Sequence, residues 1–439
     1  MTRTRHPAPT GKAASARFLA LKTLQSVFFD ERPLGEALES SPRAGVDARE
    51  IGFARAIAMT VLRRLGEIDA VLANFLREQL PVRSGPAEII LRMTAAEMLF
   101  LNVAPHAAVS SAVELADGDA RARHFKGLVN AVARRIATEG AALLPSLDAE
   151  RLNTPPWAWD AWIATYGEAT ARAIATAHCS EPPLDITAKC DTKTWADRLE
   201  AELLPTGTLR RRAGGRIEDL PGYQEGAWWI QDAGSALPAQ LLGDLRGRTV
   251  IDLCAAPGGK TAQLAAAGAN VIAVDHAAER LERLRENLQR LKLEAQIVAA
   301  DVEGWRPAAP ADAVLLDAPC TATGTARRHP DVLWRKDASD VLAQVQIQDR
   351  LLAAAASMVA PAGLLIYCVC SLAEEEGEGR IAAFLDRHSE FERRPIDPAE
   401  LGGESQFLTP GGDLRTLPCH WRERGGIDGF FATRLQRKA

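Results

Sequence analysis

No apolar run in the 439 residues reaches the ~18 that a membrane helix needs, so no membrane span is expected. Cysteine is sparse: seven residues, an odd number with no CxxC spacing. That argues against a disulfide framework or a zinc ribbon and for free thiols in a reduced, cytoplasmic protein. The basic opening MTRTRHPAPTGKAASARFLA lacks a hydrophobic stretch before a cleavage site, so no signal peptide is expected. Internal repeats and low-complexity tracts are missing too. A one-sided charge is absent, since the net charge is only −5, yet the first 29 residues hold no acid. Arg3, Arg5, Lys12, Arg17 and Lys22 lie there, and Arg63-Arg64, Arg134-Arg135, Arg210-Arg211-Arg212 and Arg327-Arg328 cluster later. Such patches suit local contact with phosphates; ordinary solvated arginines are the alternative at each.

What is present is enough chain for two or three domains, each able to bury a core. Residues 15–137 read as helices only. Phe18, Leu21, Leu24 and Phe28 recur at helical spacing, as do Ala54, Ile57, Val61 and Leu65, and segments 87–101 and 125–137 continue the pattern. Pro145 and Pro155-Pro156 mark a linker. Residues 157–222 mix a helix (AWDAWIATYGEATARAIATAH), an extended PPLDITAKC and a second helix (TKTWADRLEAELL), as a small α+β module would. From about residue 248 strands alternate with helices: TVIDLC, NVIAVD, AQIVAAD, DAVLLDAPC and GLLIYCVC each precede a helix or loop. The expected fold is therefore an all-α domain over 1–141, a small α+β domain over 142–224 and a doubly wound, mostly parallel α/β domain over 225–439. Ligands of such sheets bind beyond the carboxyl ends of the strands.

Four segments carry chemistry. In IDLCAAPGGKT, residues 251–261, a strand runs into Gly258-Gly259 and a helix start. A Walker A loop would need glycine where Cys254 stands, and the GxGxxG fingerprint is absent. Second, Asp252, Asp275, Asp301 and Asp317 close four successive strands, Asp275 lying 17 residues after Gly258, near the ~20-residue spacing of a ribose-binding acid. Helix capping is the alternative for any one of them; together they outline a nucleoside-sized site. Third, LLDAPCTATGT presents Cys320 just after a strand. Fourth, in IYCVCSLAEEEGE, Cys370 ends a strand, and Ser371 with Glu374 forms a capping-box pattern that would place the thiol outside a helix N-terminus. Cys368 lies deeper and reads as core; neither Cys-x-Cys nor the scattered histidines give zinc spacing, so no metal is expected.

DLCAAPGGKT, LLDAPCTATGT and YCVCSLAEEEGE resemble the motifs of the S-adenosylmethionine-dependent RNA 5-methylcytosine methyltransferases, in particular the bacterial 16S rRNA branch of the Sun/Fmu type. GTARRHPDVLWRK, the terminal DGFFATRL and the NusB-like FKGLVNAVARR extend the likeness over nearly the whole chain, most weakly over 142–222. One departure is Val369, where the family commonly has Thr before the second cysteine. The resemblance implies a Rossmann-like catalytic domain, Cys370 as nucleophile toward cytosine C6, Cys320 assisting product release, and Asp317 beside both cofactor and base. It implies that Cys254, Ala255, Ala256, Pro257, Gly258, Gly259 and Lys260 surround the methionine part of S-adenosylmethionine, which leaves as S-adenosylhomocysteine. Asp275 and Arg280 would serve the ribose side and Asp301 the adenine. Arg327, Arg328, Arg17 and Lys22 are the candidate RNA contacts. The expected partner is 16S rRNA or a small-subunit assembly intermediate, bound by a cytoplasmic monomer. Three rivals stay open: a nucleotide hydrolase built on Gly258-Gly259-Lys260-Thr261, a non-catalytic RNA-binding factor, and a DNA-type cytosine methyltransferase using Cys320 as nucleophile.

Overall fold

Apolar residues three and four positions apart bury one stripe of each N-terminal helix. In the first, Ala16–Phe29, Leu21 and Leu24 are buried while Phe18 and Phe28 are only half-buried. Ser15 caps it by accepting from the Phe18 amide, the N-cap role its hydroxyl suits. Helices Ala48–Arg63, Leu65–Ala73, Ala87–Leu99, Pro105–Gly118 and Lys126–Arg135 follow, with Ala54, Ile57, Val61 and Leu65 turned inward. The computed structural model describes residues 15–42, 45–212 and 214–439, and its chain divides into two units, Met1–Pro155 and Pro156–Ala439. The first has no strand among its described residues, and no described helix in either unit is long and apolar enough to cross a membrane.

The second unit begins with a helix expected to be continuous but broken in two, Pro156–Tyr166 and Glu168–His178. Gly167 sits between them at φ +79°, a left-handed conformation that ends the first helix. The next expected helix is short, Thr192–Arg198, because Glu200 also turns left-handed (φ 50°) and the chain leaves as a strand. Four strands, β1 (Leu184–Ala188), β2 (Glu202–Leu203), β3 (Leu209–Arg211) and β4 (Trp228–Ile230), form an antiparallel sheet in the order β2-β3-β1-β4.

The large sheet holds β5 (Thr249–Leu253), β6 (Asn270–Asp275), β7 (Gln296–Ala299), β8 (Ala311–Asp317), β9 (Val359–Val369), β10 (Phe391–Arg393), β11 (Leu414–Thr416) and β12 (Phe430–Arg437). Its order is β10-β12-β9-β8-β5-β6-β7, with β11 on β12. Strands β5 to β9 pair in parallel, whereas β12 inserts antiparallel between β9 and β10. Successive residues of β9 serve opposite cores, as the two-residue period requires. Leu365, Tyr367 and Val369 face helices Ala338–Ser357 and Glu378–Arg387, while Ile366 and Cys368 pack with Leu237 and Ala432 on the other side. Chain order reverses between β5 and β8, so the crevice for a ligand opens at their carboxyl ends.

Candidate active site

At that crevice the loop after β5 turns through two left-handed residues, Cys254 (φ 60°) and Gly258 (φ 102°). Only glycine fits the second: a Cβ there would lie 2.9 Å from Leu284 Cγ. Asp275, at the end of β6, is buried and accepts from the Ala256 amide at 3.1 Å and the Ala277 amide at 2.9 Å. It therefore ties the loop to the neighbouring strand, with further lone pairs of its carboxylate left over. Arg280 is exposed, donates to the Ala256 carbonyl and stands 3.8 Å from Asp275. Asp301 lies two residues beyond β7, exposed, with one oxygen accepting from the Glu303 amide at 3.0 Å.

Asp252 is wholly buried; its Oδ2 accepts from Thr261 Oγ1 at 2.6 Å while Oδ1 has no partner among the described residues. Burial, with Asp317 and Asp275 adding to it against Thr261 and Lys260, pushes its carboxyl up to about 7. Burial and the same acids push the Cys254 thiol up to about 12, so it stays protonated. An orphaned buried oxygen, a glycine-opened loop and a helix N-terminus at Gly259–Ala266 fit the polar methionine and ribose ends of S-adenosylmethionine.

Lys260 connects this loop to β8. Its ammonium pairs with Asp317 Oδ2 at 2.7 Å and lies 5.3 Å above the Phe430 ring. Burial opposes the charge, but Asp317 above all, then Cys368 and Cys370, more than restore it and hold the ammonium above its ordinary value. Asp317 pairs in register with Cys368 of β9, whose buried thiol donates to Asp317 Oδ1 at 3.4 Å.

Cys320 and Cys370 come from the ends of adjacent strands β8 and β9, and their sulfurs lie 3.5 Å apart. Both are free thiols, partly exposed. The hydrogen bond to Cys370 first, then burial, pushes the Cys320 thiol well above the usual range, so Cys320 keeps its proton. The segments meet through glycine: Gly324 donates to the Cys370 carbonyl at 3.0 Å, and its own carbonyl accepts from Gly429 at 2.8 Å. A Cβ on Gly324 would fall 2.0 Å from the Gly429 oxygen, so no side chain fits this crossing. Val369, the departure from the family pattern, packs in the apolar cluster with Leu365 and Tyr367.

The capping box expected at Ser371–Glu374 does not form. The next α-helix starts only at Glu378, and Ser371 Oγ turns instead to the carboxylate of Glu376 and to the Ala373 amide. No α-helix N-terminus among the described residues therefore follows Cys370 directly, and the Lys260 ammonium lies close enough for Cys370 to act on its charge. Tyr166 OH donates to the Leu372 carbonyl at 2.7 Å and Arg415 to the Ser371 carbonyl at 2.6 Å, and neither residue carried a sequence signal.

Two expected RNA contacts are spent elsewhere. Arg327 is buried and donates to Asp428 Oδ1 at 3.0 Å, to Asp232 at 3.4 Å and to the Gly425 carbonyl at 2.6 Å. Arg328 donates to Asp232 at 2.6 Å, to Asp428 at 3.1 Å and to the Pro183 carbonyl at 3.1 Å. Asp185 and Arg210 of the small sheet complete the cluster with a bidentate pair, both bonds 2.7 Å. Three aspartates thus neutralise three arginines inside the protein. In the N-terminal unit Arg17 is held by buried Glu97 at 2.7 Å, and Lys22 donates to Gln25 at 2.9 Å. Arg3, Arg5 and Lys12 lie outside the described residues.

An Arg327→Ala variant is accordingly expected to lose stability, not RNA charge. Removing one partner of a buried ion cluster costs about 3–5 kcal/mol, read as a lower melting temperature of the full chain. The slope of log affinity for RNA against log salt should stay unchanged, whereas loss of a phosphate contact would reduce it by about 0.7–0.9.

Residues 239–436 match the family model described as 16S rRNA methyltransferase RsmB/F, and residues 14–138 match the NusB family. A ribosomal RNA small subunit methyltransferase B from Xanthomonas campestris is 33% identical, covering 95% of this chain and 96% of its own. The solved structure of PH0851 superposes at TM-score 0.75 over 97% of this chain and 98% of its own, at 23% identity. A methyltransferase homologue from Pyrococcus horikoshii gives TM-score 0.53 at 26% identity, covering 63% of this chain and 93% of its own.

Proposed function

We propose, for a chain that belongs to the 16S rRNA methyltransferase RsmB/F family, that it forms 5-methylcytosine in small-subunit rRNA through a covalent bond from Cys370 to C6 of the base. The observation that carries this reading is the 3.5 Å approach of Cys320 and Cys370 beside Asp317, at the carboxyl edge of the sheet. A methyltransferase acting on oxygen or on an exocyclic nitrogen has no use for two thiols there. Carbon does need a thiol, because C5 of cytosine is a poor nucleophile.

Attack of the Cys370 thiolate on C6 breaks the 5,6 double bond and makes C5 enamine-like. S-adenosylmethionine, when bound, supplies an electrophilic methyl group on its sulfonium. Afterwards solvent water takes the C5 proton, that electron pair rebuilds the 5,6 double bond, and the C6–S pair returns to Cys370. The Cys320 thiol, which keeps its proton, hydrogen-bonds the departing sulfur. Asp317, fixed by Lys260 between the loop and the thiols, accepts from the amino edge of the cytosine. Residues Cys254 to Lys260 surround the methionine part, Asp275 takes the ribose hydroxyls through its remaining lone pairs with Arg280 alongside, and Asp301 serves the adenine amino group. The base reaches this crevice only when unstacked, so a single-stranded or flipped nucleotide is the substrate.

The test is incubation with methyl-labelled cofactor and 16S rRNA, naked and in small-subunit particles, then nuclease digestion and mass spectrometry of the nucleosides. Label in 5-methylcytidine is expected. Label in a ribose-methylated or N4-methylated nucleoside sinks the proposal.

A further inference from the structure

Hydrogen bonds around the thiol pair converge on a group that this chemistry does not use. Glu376 is wholly buried, whereas Glu374 and Glu375 of the same acidic run are exposed. Its Oε1 accepts from the Thr321 amide and from Gln348 Nε2, each at 2.9 Å. Its Oε2 accepts from the hydroxyls of Thr321 and Ser371. Thr321 follows Cys320 in the chain, and Ser371 follows Cys370. Gln348 also donates to the carbonyl of Pro319, the residue before Cys320, at 3.0 Å. The Glu376 backbone is itself pinned, its carbonyl accepting from Tyr367 OH at 2.6 Å.

We propose that Glu376 is the positioning residue of the cysteine pair, its carboxylate tying the residue after each thiol to one point and so setting the separation of the two sulfurs. It acts through Thr321 and Ser371 and not on the reacting atoms. A carboxylate suits this place, because its two oxygens offer acceptor sites to four converging donors. An amide would set its NH₂ against hydroxyl and N–H donors and lose part of the clamp. Thiol placement matters at this scale because a misplacement of 1 Å costs about 10²-fold in rate.

The inference rests on the reading that both thiols serve one cytosine, and it needs a test that separates the two. Glu376→Gln in the full chain is expected to lower kcat by roughly 10- to 100-fold, with KM for rRNA and cofactor affinity within about twofold. Cross-linking of Cys320 to Cys370 by diamide, which takes up the two thiol hydrogens and leaves a disulfide, should slow in the same variant. A wild-type kcat, or a KM effect alone, overturns the proposal, as does an unchanged cross-linking rate in folded protein. If Glu376→Gln does not fold, Thr321→Val and Ser371→Ala each remove one tether, and wild-type kcat in both overturns it equally. Failure of the covalent reading would show as no rRNA adduct in any variant while the cross-linking rate still responds to Glu376.

Discussion

Replacing Cys370 with alanine is expected to abolish methyl transfer to rRNA and every covalent enzyme–RNA adduct. The family pattern assigns attack to Cys370, and the attacking species is a thiolate. The hydrogen bond to Cys370 and burial hold the Cys320 thiol above its ordinary range. Lys260, whose charge is held in place by Asp317, stands close enough to feel Cys370 electrostatically. Removing a nucleophile that works as one unit with its partners costs roughly 10⁴-fold or more in kcat. The fold should survive, because Cys370 lies past the end of β9, partly exposed, and among the described residues its thiol hydrogen-bonds only Cys320. Transfer of labelled methyl groups and retention of RNA on protein in a denaturing gel measure both effects. An adduct that persists in Cys370→Ala would assign attack to Cys320, the arrangement of a DNA-type enzyme.

How far the sequence reached depends on the range of each interaction. Strand–helix alternation, the glycine loop and the acids ending β5 to β8 are local patterns, and the parallel sheet brings those strand ends to one edge. The approach of Cys320 to Cys370 was implied only by the family resemblance; it comes about because each cysteine follows an apolar strand and β8 and β9 pair in parallel. The buried ion cluster around Arg327 and Arg328 was not legible, because adjacent basic residues look alike whether solvated or buried. Their partners Asp232 and Asp428 are about 100 residues away in opposite directions, and no spacing rule connects them. The capping box failed for a similar reason: Ser371 had a local acid at Glu374, but Glu376 already gathers donors from Thr321 and Gln348 and outcompetes it. Strand β12 shows the limit for the sheet. DGFFATRL stood out only by family likeness, and its antiparallel place between β9 and β10 rests on pairings 62–72 residues apart in sequence with β9 and 42–46 apart with β10.

Cys320→Ala should have the opposite signature from Cys370→Ala: adduct forms, but does not resolve. Attack and methyl transfer need Cys370, Asp317 and the cofactor loop, and all three are intact in this variant. Resolution needs the C6–S bond to break, which puts negative charge on the Cys370 sulfur. In the native site that sulfur is 3.5 Å from a thiol that holds its proton, a donor aimed where charge develops. Without it the leaving sulfur is a thiolate in a half-buried site with one hydrogen bond fewer. Positioned acid–base groups contribute about 10²- to 10⁴-fold, so the adduct should outlive the wild-type one by that factor. A protein–RNA band should accumulate on denaturing gels, with the labelled methyl group already on the base and the RNA linked to the peptide that contains Cys370. The double variant Cys320→Ala/Cys370→Ala should show no band, which ties the trapped species to Cys370. If Cys320→Ala turns over like wild type, Cys320 has no part in release; if it forms no adduct at all, the roles of the two thiols are exchanged.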